Sequence, residues 1–156
     1  MQNAHQTSLK GKKMKVGIIG AGSVGSATAF ALIMRGVARK VVLIDANEKK
    51  AQAEAMDIAH AAPFAYANKV KAGTYEDLKG AEVVIVTAGA NQKPGETRID
   101  LLGRNAKIFE SIIPQVAKYA PDTILLITSN PADIMTEVAI KLSGFPRERV
   151  IGSGTV

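Results

Sequence analysis

The sequence predicts an α/β fold: a doubly wound parallel sheet with helices on both faces, in one domain over residues 14–156. Three observations carry this expectation. Short, almost wholly apolar runs alternate with segments of helical period along the chain. The apolar residues are mostly Ala, Val, Ile and Leu, with only 4% aromatics, a balance that suits packed βαβ units better than a sandwich. A G-x-G-x-x-G stands at the junction of the first apolar run and the first helical segment.

In order, Val16–Gly20 reads as a buried strand and Ser23–Gly36 as a helix, with Ala27, Phe30, Ala31 and Met34 expected on its apolar face. Val41–Asp45 is a second strand, and Glu48–Ala62 a second helix stopped by Pro63. Lys69–Gly73 is a short third strand. Val83–Ala88 is a fourth, apolar throughout and so expected to be covered on both faces. The Gly- and Pro-containing stretch Gly89–Thr97 is a loop, and a long helix follows from about Arg98 to Tyr119, with Pro114 expected to kink or divide it. Ile124–Thr128, the helix Ala132–Ser143 and the strand Val150–Gly152 complete the pattern. Right-handed crossovers then give a parallel sheet in two mononucleotide-binding halves.

Composition bounds the function. With no run near the roughly 20 apolar residues that cross a bilayer, no membrane span is expected. Residues 1–13 are polar and basic and read as a disordered tail without a secretion signal. The absence of cysteine excludes a disulfide scaffold and a thiolate metal site, no metal is expected, and a cytoplasmic location follows by default. The net charge of +6 owes three charges to Lys10, Lys12 and Lys13, Lys15 follows at the first strand, and the rest read as scattered, with no basic face. A solvated surface is the expectation, and no nucleic-acid partner.

Gly20-Ala21-Gly22-Ser23-Val24-Gly25 follows a strand and opens a helix, and an acid, Asp45, stands 20 residues after Gly25 at the end of the next strand. In that context Gly20 permits the turn, Gly22 lets backbone approach a pyrophosphate, and Gly25 lets helix pack on strand. The N-terminus of the helix at Ser23 then faces the phosphate charge. Asp45 is placed to accept both hydroxyls of an adenosine ribose and to repel a 2′-phosphate, which selects NAD over NADP; its alternative is to cap the following helix. These are the marks of a Rossmann dinucleotide-binding domain. Ligands in such a sheet lie across the carboxyl ends of the strands, which adds Gly89, Ala90, Ser129, Asn130 and Ser153 to the candidate cofactor residues.

Residues 86–98, Val-Thr-Ala-Gly-Ala-Asn-Gln-Lys-Pro-Gly-Glu-Thr-Arg, resemble the corresponding stretch of bacterial L-lactate dehydrogenases, within the lactate/malate dehydrogenase family. The likeness runs over about residues 14–156. It takes in Gly20–Gly25, Asp45, Met56-Asp57-Ile58-Ala59-His60, Ser129-Asn130-Pro131-Ala132-Asp133 and Val150-Ile151-Gly152-Ser153-Gly154-Thr155.

The resemblance implies roles. The loop closes over substrate, Arg98 polarises the carbonyl of pyruvate, and Gln92 senses the far end of the substrate. Malate dehydrogenases of the family carry an arginine at that place to meet a second carboxylate. Asn130 is implied to bond nicotinamide ribose and substrate oxygen, with a cis peptide to Pro131, and Asp133 to lie with the substrate residues. Val24, Lys50, Tyr75, Ser111 and Thr128 are implied to line the NAD groove.

The family's aspartate–histidine pair and its carboxylate-gripping arginine belong to a second, catalytic half with no counterpart in these 156 residues. His5 falls in the tail. His60 closes a helix that runs antiparallel to the strands, so it is expected at the amino edge, away from cofactor. The chain is therefore expected to be the NAD-binding half of such an enzyme, to bind NAD(H) without turning over pyruvate or lactate, and to self-associate, since the family pairs subunits through the Glu48–Ala62 helix. Two other readings stay open: a free-standing NAD(H)-binding module, which has no need of a substrate loop, and a malate dehydrogenase, which Gln92 opposes.

Overall fold

Among the described residues six short strands, most of them rich in Val, Ile or Leu, line up in one parallel sheet because each is returned to the same edge by the helix or turn that follows it. A computed structural model of the chain describes residues 14–61, 69–91 and 94–154. The strands are β1 (Lys15–Ile19), β2 (Lys40–Ile44), β3 (Lys69–Ala72), β4 (Val83–Val86), β5 (Ile124–Ile127) and β6 (Val150–Gly152), in the spatial order β3-β2-β1-β4-β5-β6. The reversal of direction beside β1 is the switch point where a doubly wound sheet opens a crevice.

The helices are α1 (Ser23–Met34), α2 (Glu48–Ala61), α3 (Arg98–Tyr119) and α4 (Ala132–Ser143). One face of the sheet carries a core of Val16, Ile18, Val41, Leu43, Ala29, Ile33, Ala51 and Ile58, which belongs to α1 and α2. The other carries Val42, Val84, Val86, Phe109, Ile113, Val116 and Met135, which belongs to α3 and α4. β4 is covered on both sides, as its unbroken apolar run requires.

Two expectations are corrected. The buried stripe of α1 is Gly25, Ala29 and Ile33, whereas Ala27 and Ala31 are exposed, Phe30 is 45% exposed and Met34 only half-buried. This helix is apolar almost all round, so periodicity does not choose its face; the small residues Gly25 and Ala29 do, by letting it lie close on the strands. Pro114 does not divide α3, which continues through it to Tyr119. Proline here forfeits one backbone donor, and the packing of Phe109, Ile113 and Val116 holds the helix across the gap. A 3-10 turn at Tyr75–Leu78 follows β3, held by Thr74 and Asp77 capping one another. The register sets Lys15, Lys40 and Lys69 side by side on β1, β2 and β3. Burial, and then the neighbouring Lys40, lower the Lys15 pKa, and its ammonium donates to the Lys79 carbonyl at 2.7 Å. The tail 1–13, Pro63 and Gln92 lie outside the described residues.

Candidate cofactor site

The turn from β1 into α1 is made by backbone that only glycine allows. Gly20 has φ +110°, in the region L side chains avoid. A Cβ on Gly25 would collide with the Gly20 carbonyl oxygen, so this glycine is what lets α1 start directly against the strand end. Thr87, at the end of β4, donates its hydroxyl toward the Gly20 and Ile19 carbonyls at 3.0 and 3.2 Å and steadies the turn. Gly22 differs: a Cβ there would meet nothing within 4 Å, so the space above it is open.

The helix that starts there is left open to an anion. α2 is capped by Asn47, whose Oδ1 accepts the Lys50 N–H at 3.1 Å, and α3 by Thr97 in a reciprocal box with Asp100. α1 has glycine at its N-cap, no side-chain cap and no acid in its first turn. Its first N–H groups and the positive end of its dipole therefore face the cleft with no anionic side chain of their own helix. That is the arrangement a pyrophosphate requires.

Across the cleft stands Asp45. Its carboxylate accepts the Ala21 N–H at 2.6 Å and the Asn47 N–H at 2.8 Å. Asn47, not Asp45, caps α2, so the alternative reading of Asp45 as the cap of that helix is set aside. Two amide bonds leave lone pairs on both oxygens for ribose hydroxyls. Tyr75 lies close by. Its phenol pKa is raised, by burial first and by the Asp45 charge second.

Gly22, Ser23, Val24, Gly25, Asp45, Lys50, Thr87, Gly89 and Asn91 together line an open cleft of about 340 Å³. Val24 is 58% exposed, an apolar side chain offered to whatever enters. Thr87 and Asn91 are additions that the motif alone does not pick out. The fit to a dinucleotide is therefore good: an open cradle, an uncapped helix start and an anchored carboxylate at its rim.

The other predicted residues are placed as follows. Ser129 is buried and donates to the Ala88 carbonyl at 2.6 Å; Thr128 donates to the Val86 carbonyl at 3.1 Å. Both hydroxyls bind β5 to β4. The Asn130 side chain is exposed and its peptide to Pro131 is cis. Ser153 extends the β5–β6 ladder, its N–H donating to the Ile127 carbonyl at 2.8 Å. Asp133 is exposed in the first turn of α4, within reach of Gly154. Arg98 is exposed at the first position of α3, where Asp100 offsets its unfavourable place on the helix dipole. Ser111 is exposed midway along α3, bonded to the Ile108 carbonyl, and does not line the cleft; nor does His60, exposed in the last turn of α2.

The structure adds two residues beneath the loop after β4. Arg104 donates to the Asn91 carbonyl at 2.8 Å and to Glu96 Oε2 at 2.8 Å, spanning the loop. Asn105, buried, bonds Ala90 and Asn130. Asn105 leaves one legible signal, an amide in the apolar stripe that runs through Phe109, Ile112 and Val116.

Comparison with known proteins finds a matching family and relatives. Residues 14–152 match the family described as lactate/malate dehydrogenase, NAD binding domain. The chain is 60% identical over 143 residues to an L-lactate dehydrogenase of Thermus aquaticus, covering 92% of this chain and 46% of that protein. It is 55% identical over 148 residues to one of Clostridium perfringens, covering 95% and 47%. Among solved structures, the minor L-lactate dehydrogenase of Enterococcus mundtii superposes with a TM-score of 0.88 at 45% identity, over 92% of this chain and 46% of that one. Malate dehydrogenase of Archaeoglobus fulgidus in complex with NADH gives 0.83 at 42%, over 88% and 47%. The chain thus spans about half the length of the relatives it matches.

Proposed function

Because this chain belongs to the lactate/malate dehydrogenase family, as its NAD-binding domain, we propose that it holds the cofactor for an L-lactate dehydrogenase that exchanges hydride between NADH and pyruvate. The observation that carries the cofactor half of this reading is the uncapped start of α1 over Gly22, opposite the anchored Asp45. The substrate half draws support from relatives named L-lactate dehydrogenase at 55% and 60% identity and from glutamine at position 92.

The roles divide along the cleft. The α1 N–H groups and Gly22 receive the pyrophosphate, and Asp45 with Tyr75 receives the adenosine ribose. Gly89, Ala90 and Asn130 meet the nicotinamide end. When bound, the dinucleotide supplies or accepts the hydride. Arg98 is assigned to polarise the substrate carbonyl, a preorganised charge of the kind worth about 3 kcal/mol of barrier. Gln92 is assigned to the methyl end of the substrate, where an amide leaves a second carboxylate unneutralised. Asn130 and Asp133 are assigned to the substrate side.

The titratable side chains lining the described cleft are Asp45 and Lys50, both at the ribose end. Reduction of a ketone needs a proton as well as a hydride, and a placed acid typically contributes 10²- to 10⁴-fold. The 156-residue chain by itself should therefore bind NADH and leave pyruvate unreduced. Following NADH absorbance with pyruvate, beside a binding titration, tests both statements; rapid turnover overturns the division of labour, and absent binding overturns the cofactor reading.

Self-association is part of the proposal: Met56 on α2 is 62% exposed and Phe30 on α1 45%. Light scattering should find dimers or larger species. No described helix is long and apolar enough to cross a membrane, in keeping with the cytoplasmic setting we propose.

A further inference from the structure

A side-chain amide buried among apolar groups costs free energy unless its polar atoms are bonded. Asn105 is only 2% exposed, on the face of α3 that also carries Phe109, Ile112 and Val116. Both of its polar atoms are engaged, and neither by its own helix. Oδ1 accepts the Ala90 N–H at 2.8 Å, and Nδ2 donates to the Asn130 carbonyl at 2.9 Å. The partners sit on the two loops that leave β4 and β5 at the carboxyl edge. Gly89 lies over the same amide, where a Cβ would stand 3.5 Å from Oδ1. One planar group thus fixes the separation of two loops from beneath.

The strand ends have a tie of their own, because the Ser129 hydroxyl donates to the Ala88 carbonyl at 2.6 Å. Asn105 acts one step further out, on the loops rather than the sheet. It holds Asn130 through the backbone carbonyl and leaves the exposed Asn130 side chain to a ligand.

We propose that Asn105 is a positioning residue: its amide sets the spacing between the Ala90 loop and the Asn130 peptide, and so the fit of the site to the nicotinamide half of the dinucleotide. This rests on the cofactor reading above. The adenosine half is held elsewhere, by the α1 cradle and Asp45, so the two halves of the ligand separate the effect. In Asn105→Asp an ionised carboxylate accepts from Ala90 but has no proton to give Asn130, and its second oxygen faces a carbonyl.

The test uses the 156-residue chain and two probes, NADH and ADP, the second carrying only the adenosine and phosphates. Asn105→Asp should weaken NADH by about tenfold, the effect of one lost hydrogen bond and a misplaced loop, and leave ADP affinity unchanged. Asn105→Ser, which keeps one bonding partner at most, should fall between and carries the same test if the aspartate variant folds poorly. Parallel losses of NADH and ADP, or no change in either, overturn the proposal, as does an unaltered chain that binds NADH no better than ADP. An unaltered chain that binds neither probe overturns the cofactor reading itself, and this proposal with it.

Discussion

The Asp45 carboxylate accepts the Ala21 N–H at 2.6 Å, so the acid at the end of β2 is fastened to the glycine turn that ends β1. Its other oxygen accepts the Asn47 N–H at 2.8 Å. A carboxylate held at both oxygens cannot swing aside for a phosphate. The 2′-phosphate of NADPH would meet it as like charge, whereas the 2′-hydroxyl of NADH can donate to it. NADH should bind the chain at least about tenfold more tightly than NADPH, the equivalent of roughly 1.4 kcal/mol. Asp45→Ser should narrow that ratio, as read by fluorescence titration with both cofactors. Equal affinities in the unaltered chain would remove Asp45 from the ribose.

Gly22 and Gly25 separate binding from folding. Gly22 has φ −77°, which alanine adopts readily, and open space above it. Gly22→Ala should cost no more than about 1 kcal/mol of stability, as a poorer N-cap, while its methyl group stands where the pyrophosphate must approach. NADH affinity should fall by about tenfold or more. Gly25→Ala drives a methyl group into the Gly20 carbonyl and should lower stability by about 1–3 kcal/mol. Thermal unfolding beside NADH titration checks both; a Gly22→Ala variant with unimpaired binding would place the phosphates elsewhere.

Tyr75 reports on the same corner through its proton. Burial and then the Asp45 charge raise its pKa above the ordinary 10.0. A raised folded value means the phenol stabilises the fold fully below pH 10.0 and that this contribution is lost as pH rises from there through the folded pKa. Tyr75→Phe should flatten stability against pH over that alkaline window. Asp45→Asn should bring the phenol partway down, leaving the larger effect of burial. An unmoved Tyr75 titration in Asp45→Asn would show that the two groups do not sense one another.

What the sequence disclosed and what it withheld follow from range. The cradle was legible because its parts are local: strand, three glycines and helix follow one another, and Asp45 lies one βα unit on. The sheet was legible because β1, β2, β4 and β5 are too apolar to be anything but covered strands. The buried face of α1 was not, since Phe30 and Ile33 are equally apolar and only contact with the strands decides between them. The row of Lys15, Lys40 and Lys69 depends on register, which no single strand contains. Asn105 meets partners 15 and 25 residues away, and a lone amide in an apolar stripe names neither.

Substrate choice turns on Gln92. In an active enzyme that carries this chain, Gln92→Arg should shift the ratio of kcat/KM from pyruvate toward oxaloacetate, because a guanidinium offers the second carboxylate a bidentate partner. A ratio that barely moves would mean that position 92 does not meet the substrate.

The most direct test of the whole account is calorimetric titration of NADH into the unaltered 156-residue chain and into Gly22→Ala, at matched helix content. Saturable one-to-one binding by the first, weakened by about tenfold or more in the second, is the predicted result. No binding to the unaltered chain, or equal binding to both, would contradict the claim that the open start of α1 is built to receive a dinucleotide.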